Sequence, residues 1–519
     1  MFNRRHFLGS GIVAAGSVLL LPAAVRAAIK SNPFTLGIAS GSPRDTSVML
    51  WTRLAPDPLR GGGMPLGDVP VRLRIWADDA AKRLVREMDV VAVAEDAHSI
   101  HERVEGLEPG REYWYRFSVG DYESALGRTR TTSRASSTAR LAVASCQSWQ
   151  SGHYAAYADM AAWAPDCVVH VGDYIYEGGT SDLGKRTAKM FGEDLTFNTV
   201  RQHNGPEIVT LWDYRNRYAL YKTDPSLQAA HAASPWIVAM DDHEIDNNWA
   251  SDTPQDPWAQ TPLEWQVRRI AAFKAYYEHM PIDRPPVIDM LGTALQARLQ
   301  MYGLYRFGPA QVHLLDTRQF RADQVCGEGF PGQTPCPEAA RPDRTMLGAG
   351  QEKWLADALR RSDAKFNVLA SQVWLTPYRY NQAPEPAAVN FDAWDGYAPA
   401  RQRLFETLAD GVSNPVSITG DWHCAAASRL HLDPFDVRSK RVGVEFSGTS
   451  ISSDCPWSPA MERARADNPH VAHHNGRQRG YCRFDVDTRH WATTYRVVAD
   501  PLNPNSAVGT DVEIRVADL

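Results

Sequence analysis

Four short stretches place metal-ligating side-chain types directly after apolar runs. Leu141-Ala142-Val143-Ala144-Ser145 ends in Cys146, and Val168-Val169-His170-Val171 runs into Gly172-Asp173-Tyr174-Ile175-Tyr176. Trp236-Ile237-Val238-Ala239-Met240 runs into Asp241-Asp242-His243-Glu244-Ile245-Asp246-Asn247-Asn248. Val416-Ser417-Ile418-Thr419 runs into Gly420-Asp421-Trp422-His423. Taken singly, each has an ordinary explanation. An Asp or Asn after a strand is usually a turn former or cap, a lone Cys a buried structural thiol, and a Tyr a packing aromatic. Their concentration points elsewhere. Asp241-Asp242-His243-Glu244 sets three acids and a histidine beside an apolar run. Burying that much charge is costly unless something neutralises it, and a bound cation cluster would do so. Cys, Asp, Tyr, His and Asn all ligate metals.

The apolar runs are continuous rather than alternating, which predicts strands buried on both faces. Similar runs lie at 312–315 and 366–370, with helix-like segments at 154–163, 263–277 and 352–361 between them. Alternating strand and helix from about residue 139 predicts an α/β domain, layered α-β-β-α, and in open α/β sheets the carboxyl ends of strands are where sites gather. Residues from about 34 to 132 read differently, with short candidate strands at 48–53, 71–76, 90–93 and 113–117 broken by Pro/Gly turns. That pattern predicts a β-sandwich, and 106–117 is similar to the end of a fibronectin type III domain. The expected division is 1–27, 28–135 and 136–519, with a linker at 128–138.

The first 27 residues combine Arg4-Arg5 before Phe7-Leu8, an apolar run at 9–21 and a small-residue exit, the pattern of an export signal. The apolar run is too short to span a membrane. The paired arginines resemble a twin-arginine signal, which predicts recognition by the twin-arginine (Tat) export machinery and a periplasmic or secreted location. The 519 residues carry 55 Lys+Arg against 61 Asp+Glu, and ordinary hydrophobic content excludes disorder as the main state. Removing the signal, with its three arginines and no acid, takes the formal charge from −6 to −9. No broad basic surface for nucleic acid is expected, nor a stable membrane association, and a monomer is expected. The cysteines number 7, an odd count. Cys326 and Cys336 flank a Gly/Pro-rich segment and predict a loop disulfide in an oxidising compartment. Cys167, Cys424, Cys455 and Cys482 cannot be paired from the sequence.

The ordered motifs resemble the metallophosphoesterase superfamily, and specifically the PhoD family of alkaline phosphatase/phosphodiesterases. Gly37-Ile38-Ala39-Ser40-Gly41, Trp51-Thr52-Arg53, Arg344-Thr345-Met346-Leu347-Gly348 and Arg479-Gly480-Tyr481 extend the likeness over nearly the whole chain. The resemblance implies hydrolysis of phosphate mono- and diesters through attack on phosphorus by a hydroxide held by the metals. It implies Asp173 as a carboxylate bridging two cations, and Cys146, Tyr176 and His423 as the remaining ligands of an iron(III). Thiolate, phenolate and imidazole suit Mg²⁺ or Ca²⁺ poorly. Asp242 and Asp421 replace the superfamily's Asn and His with carboxylates. With Asn247 they fit the Ca²⁺ that the family pairs with iron. His243 falls where the superfamily places the group that contacts phosphate or protonates the leaving oxygen. Arg215 and Arg217 are candidate phosphate contacts, since guanidinium matches phosphate geometry. The alternatives are a phospholipase D-type lipid phosphodiesterase and a non-catalytic calcium-loaded binding protein. The second has no need of the Cys146, Tyr176 and His423 set.

Overall fold

The computed structural model describes residues 29–190, 193–291, 294–327, 333–380 and 387–519. The export-signal expectation lies outside the described residues. Among them, no helix is long and apolar enough to cross a membrane.

Two large mixed sheets organise the chain. The nine-stranded sheet runs, in order, Val508–Arg515, Trp491–Val498, Gly480–Asp487, Thr138–Ala144, Cys167–His170, Pro235–Val238, Ile38–Gly41, Ser47–Arg53 and Ser99–Glu105. The seven-stranded sheet runs Gly303–Phe307, Ala310–Leu314, Phe366–Ala370, Pro415–Thr419, Arg441–Ser447, Ala425–His431 and Val471–Asn475. Their central strands are parallel: Val168, Val169 and His170 pair with Trp236, Ile237 and Val238, and Val368 pairs with Val416. Such strands are covered on both faces, which is why they read as unbroken apolar runs.

The sheets share one core, which contains Val143 and Val486 from the first sheet and Val368 and Val444 from the second. Phe366 and Trp491 bring their rings to 5.5 Å across it. On the other side of the seven-stranded sheet, Leu355 and Leu359 of the helix Gly348–Arg360 pack with Leu404 and Phe405 of the helix Ala398–Ala409, over Leu315, Leu369 and Leu430. The helices Ala155–Trp163, Leu211–Lys222 and Pro262–His279 contribute Tyr157, Tyr218 and Phe273 to the first core.

The N-terminal residues divide between two sheets. A five-stranded sheet holds Val69–Trp76, Leu84–Ala92, Glu112–Val119, Tyr122–Glu123 and Gly127–Arg130. The strands Ile38–Gly41, Ser47–Arg53 and Ser99–Glu105 instead extend the nine-stranded sheet, with Ser40 pairing in parallel with Pro235. Strand pairing therefore continues across the expected boundary at 135. Cys326 and Cys336 form a disulfide with a Cα–Cα separation of 5.4 Å, as expected. Cys146, Cys167, Cys424, Cys455 and Cys482 are free and buried.

Candidate metal centre

The strand ends meet at one place, and the backbone there is bent sharply. Cys146, Asp173, Asp421 and His423 all take positive φ, at 56°, 57°, 65° and 57°. Each such non-glycine residue costs of order 1–3 kcal/mol and persists only where its surroundings over-determine it. Gly172 (φ 112°) makes the bend before Asp173 possible: a Cβ there would stand 2.3 Å from the Cβ of Asp241.

Glu244 fixes two of these ends to each other. Its carboxylate accepts from the N–H of Asp173 at 3.2 Å, of Tyr174 at 2.5 Å and of Asp241 at 2.7 Å. Burial pushes its carboxyl up to about 8. The strand end after Pro235–Val238 is thereby tied to the one after Cys167–His170.

Three groups of candidate ligand atoms result, each within 4.8 Å: Cys146, Asp173 and His423; Asp173, Asp242 and His243; and Asp241, Asp242 and Asp421. Asp173 belongs to two groups and Asp242 to two, so they form one continuous cluster. Tyr176 Oη donates to Asp173 Oδ2 at 3.0 Å and lies 3.3 Å from His423 Nε2 and 2.7 Å from Ser453 Oγ. Asn247 lines the cavity of about 210 Å³ over the cluster, with Asp242 and Asp421. The residues expected as ligands are thus brought together.

The electrostatics fit a cation. Asp173 Oδ1 and Asp242 Oδ1 are buried with no hydrogen-bond partner. Burial, with Asp241 and Asp242 nearby, holds the Asp173 and Asp421 carboxyls well above the ordinary range. Burial, with Asp173, Asp421 and Asp241 nearby, pushes the Cys146 thiol up, and burial pushes up the Tyr176 phenol. Acids, thiol and phenol that resist ionising alone ionise readily on a metal. His423 Nδ1 faces the Asp454 carbonyl at 2.7 Å, which directs the Nε2 lone pair to the cluster. Burial lowers this imidazole to about 3, so it is neutral, as a ligand must be. His243 behaves oppositely. Burial works against its charge, yet Glu177, Asp173 and Asp242 outweigh burial and raise it well above the ordinary value. Its Nδ1 lies 2.7 Å from Glu177 Oε2.

Two family models match the chain. One described as PhoD-like phosphatase covers residues 141–495, and one described as the PhoD-like phosphatase N-terminal domain covers 21–133. The chain belongs to the PhoD-like phosphatase family. Alkaline phosphatase D of Bacillus subtilis (strain 168) is 40% identical over 528 aligned residues, spanning 98% of this chain and 86% of that protein. A solved structure described as that of PhoD superposes with a TM-score of 0.85 at 39% identity, covering 94% of this chain and 90% of the other.

The expectation for Arg215 and Arg217 needs correction. Arg215 grips the buried Glu278, with Nε to Oε2 at 2.6 Å and Nη2 to Oε1 at 2.5 Å. Arg217 donates to the carbonyls of Tyr176, Gly178 (2.9 Å) and Pro206 (3.1 Å). Neither lines the cavity over the cluster. Buried acceptors claim both guanidiniums, and Arg217 instead supports the turn that carries Tyr176.

The sequence reading missed Arg318 and Asp392. Arg318 is buried among acids: Asp241 at 2.5 Å, Asp392 at 2.9 Å, Asp242 at 3.5 Å and Asp421 at 3.8 Å. Arg321 also pairs with Asp392, at 2.6 Å. A signal existed for the arginine. Asp316-Thr317-Arg318 follows the apolar strand Ala310–Leu314 just as the other polar segments follow theirs. Glu177, Ser453 and Asp454 were missed as well, because their role is to hold His243, Tyr176 and His423 in place.

Proposed function

We propose that this protein is an exported phosphoric ester hydrolase of the alkaline phosphatase D type, acting on phosphate mono- and diesters at the cluster around Asp173. The convergence of Cys146, Asp173, Tyr176 and His423 at three strand ends carries this reading, together with the family. Cys146, Asp173, Tyr176 and His423 would hold iron(III), and Asp242, Asp421 and Asn247 would hold Ca²⁺ against the shared Asp173. The thiol, phenol and imidazole suit the first ion and the oxygen donors the second. When bound, the cations supply positive charge for the phosphoryl oxygens and lower the pKa of water towards neutrality. His243, charged by Glu177 on its Nδ1 side, keeps a proton on Nε2 for the leaving oxygen. Arg318 offsets the surplus carboxylate charge without touching substrate.

The proposed organisation is an α-β-β-α metallophosphoesterase-like domain over 136–519, preceded by a fibronectin-like β unit over 28–135. The first 27 residues would be a twin-arginine signal delivering a monomer to the periplasm or the exterior. Replacing Arg4 and Arg5 by Lys should then leave unprocessed protein in the cytoplasm.

The test is Asp173→Ala, scored for iron and calcium content and for hydrolysis of p-nitrophenyl phosphate. Metal and activity should be lost together. Hydrolysis near the wild-type rate by a metal-free preparation would sink the proposal.

A further inference from the structure

The cluster stands between two cavities. The first, of about 210 Å³, is lined by Asp173, Asp242 and Asp421. The second, of about 430 Å³, opens on the Tyr176 side. His243, His423 and Trp457 line both, so the two are lobes of one cleft with the candidate metal centre at the waist.

A β-hairpin walls the second lobe. Its strands Gly184–Met190 and Glu193–Thr199 pair with Arg186 opposite Phe197, and the Arg186 guanidinium lies 4.6 Å over the Phe197 ring. Among the described residues Arg186 makes no ion pair. The hairpin is anchored to the site. Leu195 is buried with Trp422 and Trp457, and Phe197 packs on the same group. The N–H of Asn198 donates to Asp454 Oδ2 at 2.7 Å, and the carbonyl of that same Asp454 orients His423. The lobe therefore has an anchored wall with an aromatic face, Phe197 and Trp457, and a guanidinium, Arg186, that lines it and makes no ion pair among the described residues.

We propose that this second lobe binds one ester arm of a phosphodiester, with the arm against Phe197 and Trp457 and Arg186 facing its polar or anionic end. The inference rests on the phosphoesterase reading above and deepens it. A phosphorus held at the waist by a diester sends two arms in diverging directions, and the cleft offers one lobe to each. A monoester has a single arm and leaves a lobe empty. An aromatic face and a guanidinium accept a ring or carbon chain ending in polar groups. Phe197 and Arg186 then set the preference for diesters over monoesters.

The experiment measures kcat/KM for bis(p-nitrophenyl) phosphate and for p-nitrophenyl phosphate in the wild type, Phe197→Ala and Arg186→Gln, at equal metal content. The diester-to-monoester ratio should fall roughly threefold to tenfold in Phe197→Ala, the loss expected for one aromatic contact. Arg186→Gln alters an exposed side chain and guards against misfolding in the other variant. It should lower the ratio in the same direction. An unchanged ratio in both variants, with the wild type active on both esters, overturns the assignment of the lobe while leaving the phosphoesterase reading intact. A metal-loaded wild type that hydrolyses neither ester overturns both.

Discussion

Arg318 Nε donates to Asp241 Oδ1 at 2.5 Å, with both side chains 1% exposed. The guanidinium is the buried counter-charge of the acid cluster, and it comes from a strand end of the other sheet. Opposite charges across the two sheets thus hold the floor of the site together.

Breaking that contact should be severe. Arg318→Leu leaves Asp241, Asp242, Asp392 and Asp421 without the cation they surround. Removing one partner of a buried pair costs about 3–5 kcal/mol. Chemical denaturation of the metal-loaded protein should show a loss of that size. A loss under about 1 kcal/mol would mean that bound cations alone balance the acids.

Gly172→Ala should damage the site without removing a ligand. At φ 112° the new Cβ would meet the Asp241 Cβ at 2.3 Å. Either the bend opens or Asp241 moves, and both displace Asp173. The expected outcome is a lower metal occupancy and at least a tenfold loss of kcat, about 1.4 kcal/mol in the barrier, read by metal analysis and steady-state kinetics. Wild-type occupancy and kcat would show that the bend is not needed.

Tyr176→Phe tests the identity of the metal. If a phenolate binds iron(III), the loaded wild type should be violet or pink with a visible absorption band, and the variant should lose that band at unchanged total iron. A colourless, iron-loaded wild type would remove Tyr176 from the ligand set.

Lys222 should make stability pH-dependent. Burial lowers its amine from the ordinary 10.5 to about 7, and it lies over the rings of Trp51 at 4.3 Å and Tyr174 at 5.3 Å. Between these values the unfolded chain holds a proton that the native state releases. Stability contributed at this position therefore rises from about pH 7 to pH 10.5. Below pH 7 both states are charged and the full burial penalty remains. Lys222→Met should raise the thermal midpoint most at low pH and flatten the rise. Parallel Tm–pH curves for variant and wild type would contradict this.

The strands of the site were legible because burial on both faces leaves no choice but a continuous apolar run, as at 141–145 and 236–240. The polar residues that end them were legible for the same reason: Cys146, Asp173, Asp242 and His423 interrupt patterns that are otherwise strict. By itself, then, the sequence determined which strand ends carry metal-ligating side-chain types. It could not determine directions. Nothing in the types of Cys146, Asp173, Asp421 or His423 announces a left-handed backbone, which the converging loops impose. Arg215 was expected at phosphate and is held by Glu278, 63 residues away, while Arg318 serves Asp241, 77 residues upstream. Where a guanidinium points depends on which buried carboxylate or carbonyl the folded chain brings within reach, and only the tertiary structure decides that, because an unmet buried charge costs more than any local preference supplies.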